Sequence, residues 1–321
     1  MSTHTEPVGP SRPTPPTPPP QDPGGPARRR SGSSLGRLGP LPWIGPAVAL
    51  IVLVVLWPVY EMARTSFLNI SVSGFVRGSA GLDQYRQLFA DPDLGSVVVA
   101  TVVWTAAVVG CTMLVSLALA QLFHQRFPGR RVTRWALIAP WAASVLMTAV
   151  GFRWMLDRTA GVLNTLMVDL GLVDGPRDWL GDPATAWPWL MFVAVFVSLP
   201  FTTYTLLAGL QTVPDEVYEA ARVDGAGPWR TYRLITLPLL RPAALVGIVI
   251  NLINVFNSFP VIWAMTRGGP DSQTATTTVF MYQLKSDDIG QSAAMSVVNF
   301  ALVVVMVLVF LRVSRWNKEG A

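Results

Sequence analysis

Six long windows of this chain contain no Asp, Glu, Lys or Arg: 41–60, 94–123, 135–152, 183–214, 242–266 and 289–311. A helix rises about 1.5 Å per residue, so roughly 20 apolar residues cross a hydrocarbon core of about 30 Å. Every window reaches or nearly reaches that length, the third being shortest at 18 residues. Inside a bilayer the backbone must satisfy its own hydrogen bonds, which restricts such windows to helices. The pattern predicts an all-α integral membrane protein with six transmembrane helices. Hydrophobic residues make up 51% of the chain and charged residues 13%, which agrees.

The charged residues between the windows predict an orientation, because cytoplasmic loops are enriched in Lys and Arg. With both termini inside, 16 basic residues fall on the cytoplasmic side and 8 opposite. The acids divide seven inside and twelve outside, giving +9 against −4. The asymmetry accounts for the net charge of +5 without nucleic acid as a partner. Residues 1–40 are rich in Pro, Ser and Gly, too poor in large apolar side chains to offset the entropy of ordering. They are expected to form a disordered Pro-rich cytoplasmic tail. Residues 41–321 are expected to form the six-helix transmembrane domain, with the first window retained as an anchor.

Between the fourth and fifth windows lies the polar loop 214–242, expected inside and expected to fold as two short helices joined at a turn. Pro214 suits a first helical position, and Asp215 and Glu216 place negative charge at the positive end of a helix dipole. Ala220 and Ala221 favour helix, and Gly225 can take the left-handed conformation that ends one. Gly227-Pro228 restarts the chain in a new direction. Small residues on an exposed helix face let a partner backbone approach closely.

The spacing in this loop is specific. Glu219-Ala220-Ala221, three residues, Gly225, nine residues and Ile235-x-Leu237-Pro238 resemble the EAA loop of the membrane subunits of ATP-binding-cassette importers. Upstream, Ala208-Gly209-Leu210-Gln211-x-Val213-Pro214 and Tyr218 are similar to the maltose-type, sugar-transporting branch of binding-protein-dependent permeases. So are Gly81-Leu82-Asp83-x-Tyr85-Arg86, the stretch 161–164, Leu170-Gly171-Leu172 and Trp179-Leu180. Thr266-Arg267-Gly268-Gly269-Pro270 resembles an LTxGGP turn, with Arg267 where glycine is common and Met265 where leucine is. The likeness extends over about 230 residues.

This resemblance implies the type I importer permease fold, a bacterial cytoplasmic membrane location and a sugar or related carbohydrate as cargo. It implies as partners a second homologous permease subunit, two ATPase subunits and an extracytoplasmic solute-binding protein. On the coupling loop, Glu219 would contact an ATPase subunit; Ala220, Ala221 and Gly225 would permit close docking; Asp224, Ile235, Leu237 and Pro238 complete the motif. The chain has no GxxxxGK[ST] phosphate loop, so ATP and Mg are expected on the partner ATPase and no cofactor on this chain. Two histidines, His4 and His124, and one cysteine, Cys111, do not compose a metal site. An ion-coupled secondary transporter usually carries ionisable residues within its spans, and these windows have none. A permease for a non-sugar solute is the alternative.

Candidate substrate contacts lie in the fifth window. Asn251, Asn254 and Ser258 recur at i, i+3 and i+7, within roughly 60° on an ideal helix. Asn257 lies at the margin of this stripe, and Asn299 in the sixth window could join it. Amides and hydroxyls replace water around sugar hydroxyls, but they also hold neighbouring membrane helices together. Phe256, Phe259 and Trp263 read as packing residues. Pro200 and Pro260 interrupt their helices, as happens where helices bend around a cavity.

Overall fold

A computed structural model describes residues 41–319. The tail 1–40 lies outside the described residues. The chain divides after Val55 into two units. The first contributes α1 (Leu41–Ile51) and most of a π turn (Val52–Leu56); its described side chains are largely exposed.

The second unit opens with α2 (Trp57–Thr65), followed by an antiparallel hairpin of β1 (Leu68–Ile70) and β2 (Val76–Ser79). Leu68 pairs with Ser79 and Asn69 with Gly78, and a bulge shifts Ile70 to Val76. Then come α3 (Asp83–Ala90), α4 (Pro92–His124), α5 (Arg130–Ala142), α6 (Val145–Met155), α7 (Val162–Asp169) and α8 (Pro183–Gln211). The remaining helices are α9 (Asp215–Val223), α10 (Pro228–Thr231), α11 (Leu237–Leu239), α12 (Arg241–Phe256), α13 (Phe259–Met265), α14 (Thr277–Leu284) and α15 (Ile289–Glu319).

Among the described residues, four helices are long and apolar enough to cross a membrane: Ile44–Thr65, Pro92–His124, Pro183–Gln211 and Ile289–Arg312. A fifth crossing results if Pro228–Leu239 and Arg241–Phe256, bent by 65°, are taken together. The third window is not one continuous span. Pro140 gives no amide hydrogen to the last turn of α5, and the chain becomes extended at Ala143 and Ser144 before α6 begins. The fifth window is also divided, α12 ending at Phe256 and α13 starting at Phe259.

The core of the second unit forms where α4 packs against α8 and α12 rests on both. The two long helices start in the same way. Asp91 and Asp182 cap them by accepting from the backbone N–H of Asp93 and Ala184, each at 2.9 Å, and Pro92 and Pro183 follow at N1, where a missing N–H costs nothing. Along α4, Val97, Thr101, Trp104, Val108 and Met113 are buried at helical spacing. Thr101 Oγ1 also accepts from the Thr277 amide at 2.8 Å, fixing the start of α14 against α4.

The connection from α6 to α8 is tied by Asn164, which is buried. Its Nδ2 donates to the carbonyls of Asp157, Arg158 and Arg177, and its Oδ1 accepts from the Arg177 amide and Trp179 Nε1 at 3.1 and 2.9 Å. Asp157 accepts from the Ala160 and Thr159 amides and the Thr159 hydroxyl. These bonds, the Ala160 amide first, hold its carboxyl below the ordinary carboxylate range.

Candidate functional site

Two regions hold the residues singled out in the sequence. The first is the hairpin joining α8 to α12. Pro214 is extended at the N-cap of α9 (φ −61°, ψ 142°), one place before the expected first helical position. The helix therefore begins with Asp215 and Glu216, whose carboxylates sit at its positive end. At the other end Gly225 has φ +73°. Its amide donates to Arg222 O at 3.0 Å and the Ala226 amide to Ala221 O at 2.9 Å, the paired bonds of a Schellman C-cap. A side chain at Gly225 would meet nothing within 4 Å in this chain, so the constraint here is the left-handed backbone.

The second arm is longer than a short helix. It runs Pro228–Leu239, with Pro228 at N1 after Gly227 and a π turn over Tyr232–Thr236. Pro238 cannot donate to Leu234 O, which weakens the regular ladder where the wide turn forms. Glu219, Ala220, Asp224, Gly225, Leu237 and Pro238 are exposed and Ile235 is half-buried. Ala221, expected on the docking face, is only 4% exposed and packs within its own chain. The sequence reading passed over Val223, 88% exposed, and Trp229 and Leu234, also exposed. Large apolar side chains in a charged loop were the available signal.

The second region is a cavity of about 410 Å³ where α8 faces two helix breaks, α5–α6 and α12–α13. Four of the five predicted contacts, Asn251, Asn254, Asn257 and Ser258, line it. They do so differently. Asn251 is buried and its Nδ2 donates to Thr202 Oγ1 at 2.7 Å and Gly247 O at 2.9 Å, tying α12 to α8. Asn254 is exposed and its amide is unengaged among the described residues, leaving two donors and an acceptor for a ligand. Asn257 Nδ2 donates to Ile253 O at 3.0 Å, and its Oδ1 has no partner among the described residues. Ser258 lies beyond the end of α12 and its Oγ accepts from Trp104 Nε1 at 3.0 Å.

Trp104 explains how the break is held. Pro260 brings no amide to the carbonyl of Phe256, so the α12 ladder ends there. The fully buried Trp104 indole donates to Val255 O at 3.2 Å, which also accepts from the Ser258 amide, and to Ser258 Oγ, tying the broken segment to α4. Its ring lies 5.6 Å from that of Trp187 on α8. Trp141 and Phe201 add aromatic walls to the cavity, and Ser198 lines it as well; none of these was anticipated, because they come from the third and fourth windows, away from the stripe in the fifth.

Asn299 is elsewhere. It is buried on α15 with Nδ2 4.0 Å from Met281 Sδ, outside the residues lining the cavity. Phe259 and Trp263 stack at 5.5 Å and both meet Tyr282, and Phe256 is buried, so these aromatics pack. Among the described residues no three His, Cys, Asp or Glu side chains are grouped to hold a metal.

Apolar helices of spanning length, a cavity at two helix breaks that mixes asparagine and serine with apolar side chains, and a two-helix hairpin with exposed apolar residues fit a membrane-embedded permease. Residues 112–318 match the family of binding-protein-dependent transport system inner membrane components, and the chain belongs to that family. A probable ABC transporter permease protein of Brucella suis is 37% identical over 86% of this chain and 96% of its own length. A sulfoquinovosyl glycerol transport system permease protein of Agrobacterium fabrum is 33% identical over 85% of this chain and 89% of its own length. The fold is similar to a chain in the crystal structure of a bacterial ABC transporter involved in alginate import, with a TM-score of 0.76 over 88% of this chain and 96% of that one, at 20% identity. The protein is thus a multi-pass component of the cytoplasmic membrane, a transport permease rather than a catalyst.

Proposed function

We propose that this chain is the permease subunit of an ATP-driven importer that moves a sugar or related carbohydrate delivered by an extracytoplasmic binding protein. The observation that carries the cargo assignment is the free amide of Asn254 in one cavity with Asn257, Ser258, Trp141 and Phe201. Amides pair with hydroxyls and aromatic faces cover the apolar side of a sugar ring. Relatives named for sulfoquinovosyl glycerol and for trehalose and maltose support the same class.

In this reading the chain crosses six times with both termini inside, the divided third and fifth windows counting as broken spans that line the path. It pairs with a second homologous permease and two ATPase subunits carrying ATP and Mg. Closure of the ATPases moves α9, and the continuous arm Pro228–Leu239 passes that displacement to α12 and the cavity. Glu219, Ala220, Asp224 and Gly225 face the ATPase, joined by Val223, Trp229 and Leu234. Ala221, Ile235, Leu237 and Pro238 shape the hairpin. Asn251 holds helices together, the role its bond to Thr202 favours.

Asn254→Leu tests the cargo site. Uptake should fall about tenfold, the effect of losing one hydrogen bond of about 1.4 kcal/mol, while the assembled complex persists. Unchanged uptake across substrate concentrations would remove Asn254 from the path. A reporter fused after Arg315 tests the orientation and should function only in its cytoplasmic form; activity on the outside would overturn the topology and the hairpin assignment together.

A further inference from the structure

The cavity at the two helix breaks is lined by uncharged side chains alone. Apart from its asparagines and serines, the walls are valine, alanine, proline and the rings of Trp141 and Phe201. All of these residues come from the third, fourth and fifth windows, which contain no Asp, Glu, Lys or Arg. The two arginines that flank the third window are engaged at helix ends. Arg134 Nη2 donates to Phe123 O near the end of α4 at 2.7 Å, and Arg153 Nη1 donates to Ala264 O near the end of α13 at 3.2 Å. Neither lines the cavity.

The polar groups that do line it are matched to hydroxyls. Ser198 Oγ donates to Ala194 O at 2.8 Å, which leaves only its lone pairs for a ligand. Ser258 Oγ accepts from Trp104 and has its own hydrogen left to give. Asn254 offers a whole amide, and Asn257 an unpartnered Oδ1. A sugar hydroxyl both donates and accepts, so it can use either kind of group. The oxygens of a carboxylate, phosphate or sulfonate only accept; they would be repelled by the Ser198 and Asn257 oxygens, and their charge would be desolvated with no cation to pair it. We propose that this cavity passes neutral, polyhydroxylated sugars and excludes acidic ones, with Asn254 and Ser198 facing the cargo. The inference rests on the reading of the cavity as the cargo path. The fold does not set this selectivity, because the structurally similar transporter imports the acidic polysaccharide alginate.

The test uses the assembled transporter in proteoliposomes, so that any charge contributed by the second permease is present. In a chain freed of its one cysteine by Cys111→Ala, a thiol is introduced by Asn254→Cys on α12 or, independently, by Ser198→Cys on α8. Each is treated with uncharged hydroxyethyl methanethiosulfonate or with anionic sulfonatoethyl methanethiosulfonate. Modification is followed by the mass of this chain, and each rate is divided by that of a free thiol in solution. The anionic reagent should react about a hundredfold more slowly at both positions, because its charge enters the cavity unpaired. Equal normalised rates would overturn the proposal and leave the cargo path in place, as would uptake of a uronate at the rate of its neutral counterpart. Failure of both reagents at both positions, or wild-type uptake by Asn254→Leu, would remove the cavity from the path and the proposal with it.

Discussion

The hairpin at 214–239 and the broken helix at 251–261 are both departures from a straight span, but they are held in opposite ways. Neighbours in sequence hold the hairpin: Gly225 and Ala226 close on Arg222 and Ala221, and Pro228 opens the next arm. The broken helix is tied to α4 by Trp104, some 150 residues away, through Val255 O and Ser258 Oγ. A locally closed turn can protrude and move as a unit. A break tied to another helix is fixed in the core, where a cavity can keep its shape. In the proposed function, the first region would transmit motion and the second would recognise cargo.

The contrast is sharpest under substitution. Trp104→Ala should have the largest effect, because it opens a cavity in the core and removes the tie to Val255 O and Ser258 Oγ, at a cost of about 3–5 kcal/mol. Little assembled complex should be recovered. Trp104→Phe separates the two losses: packing survives, the donor does not, and thermal stability of the purified complex should fall by about 1–3 kcal/mol. A Trp104→Phe complex as stable as wild type would show that the break holds itself, as the hairpin does.

On the hairpin, Glu219→Ala should leave assembly intact and lower stimulated hydrolysis severalfold, since a hydrogen bond to a charged group contributes about 1.5–3 kcal/mol and alanine keeps the helix. Co-purification with the ATPase at wild-type yield but unaltered hydrolysis would remove Glu219 from the contact. The smallest effect concerns Asp157. Its folded pKa is depressed, so its contribution to stability is present above its unfolded value of about 3.9 and is lost as the pH falls through the lower folded value. Between pH 5 and 8, thermal unfolding curves of wild type and Asp157→Asn should therefore keep a constant separation; a separation that changes across this window would mean that the carboxyl titrates within it.

How much of this was legible in the sequence follows the same division. The hairpin was legible because its determinants are local: Gly225 in the left-handed region, Gly227-Pro228 restarting the chain and acids at the start of α9 are short-range chemistry. Its errors were also local, Pro214 being displaced by one position and Ala221 facing inward, because a nine-residue helix gives too few turns to assign a face. The stripe of Asn251, Asn254 and Ser258 indicated the cavity, although Ser258 reaches it from beyond the helix end. Asn299 went astray because a polar residue in an apolar window gives no information about which neighbour its helix face meets.

The continuous third span failed for a related reason: hydropathy counts apolar residues and does not register that the backbone turns extended at Ala143 and Ser144. Helix α14 lies between the fifth and sixth windows and was not anticipated, since at eight residues it is too short to carry a clear period. The LTxGGP-like turn shows what a resemblance adds. Arg267, at the position where glycine is common, has φ +57°, and the next residue, Gly268, has φ +84° with Val279 and Gln283 closing on it. The preference for glycine there reflects backbone geometry, which this chain reaches at 267 with an arginine.

The division between transmission and recognition is tested most directly by measuring uptake and binding-protein-stimulated ATP hydrolysis in the same proteoliposomes for Gly225→Val and Asn254→Leu. A β-branched side chain forced to φ +73° costs about 1–3 kcal/mol and reshapes the C-cap, so Gly225→Val should insert normally but lose hydrolysis and uptake together, each by about tenfold or more. Asn254→Leu should lose uptake while stimulated hydrolysis stays near wild type. Wild-type hydrolysis and uptake in Gly225→Val, or parallel loss of both activities in Asn254→Leu, would contradict the account.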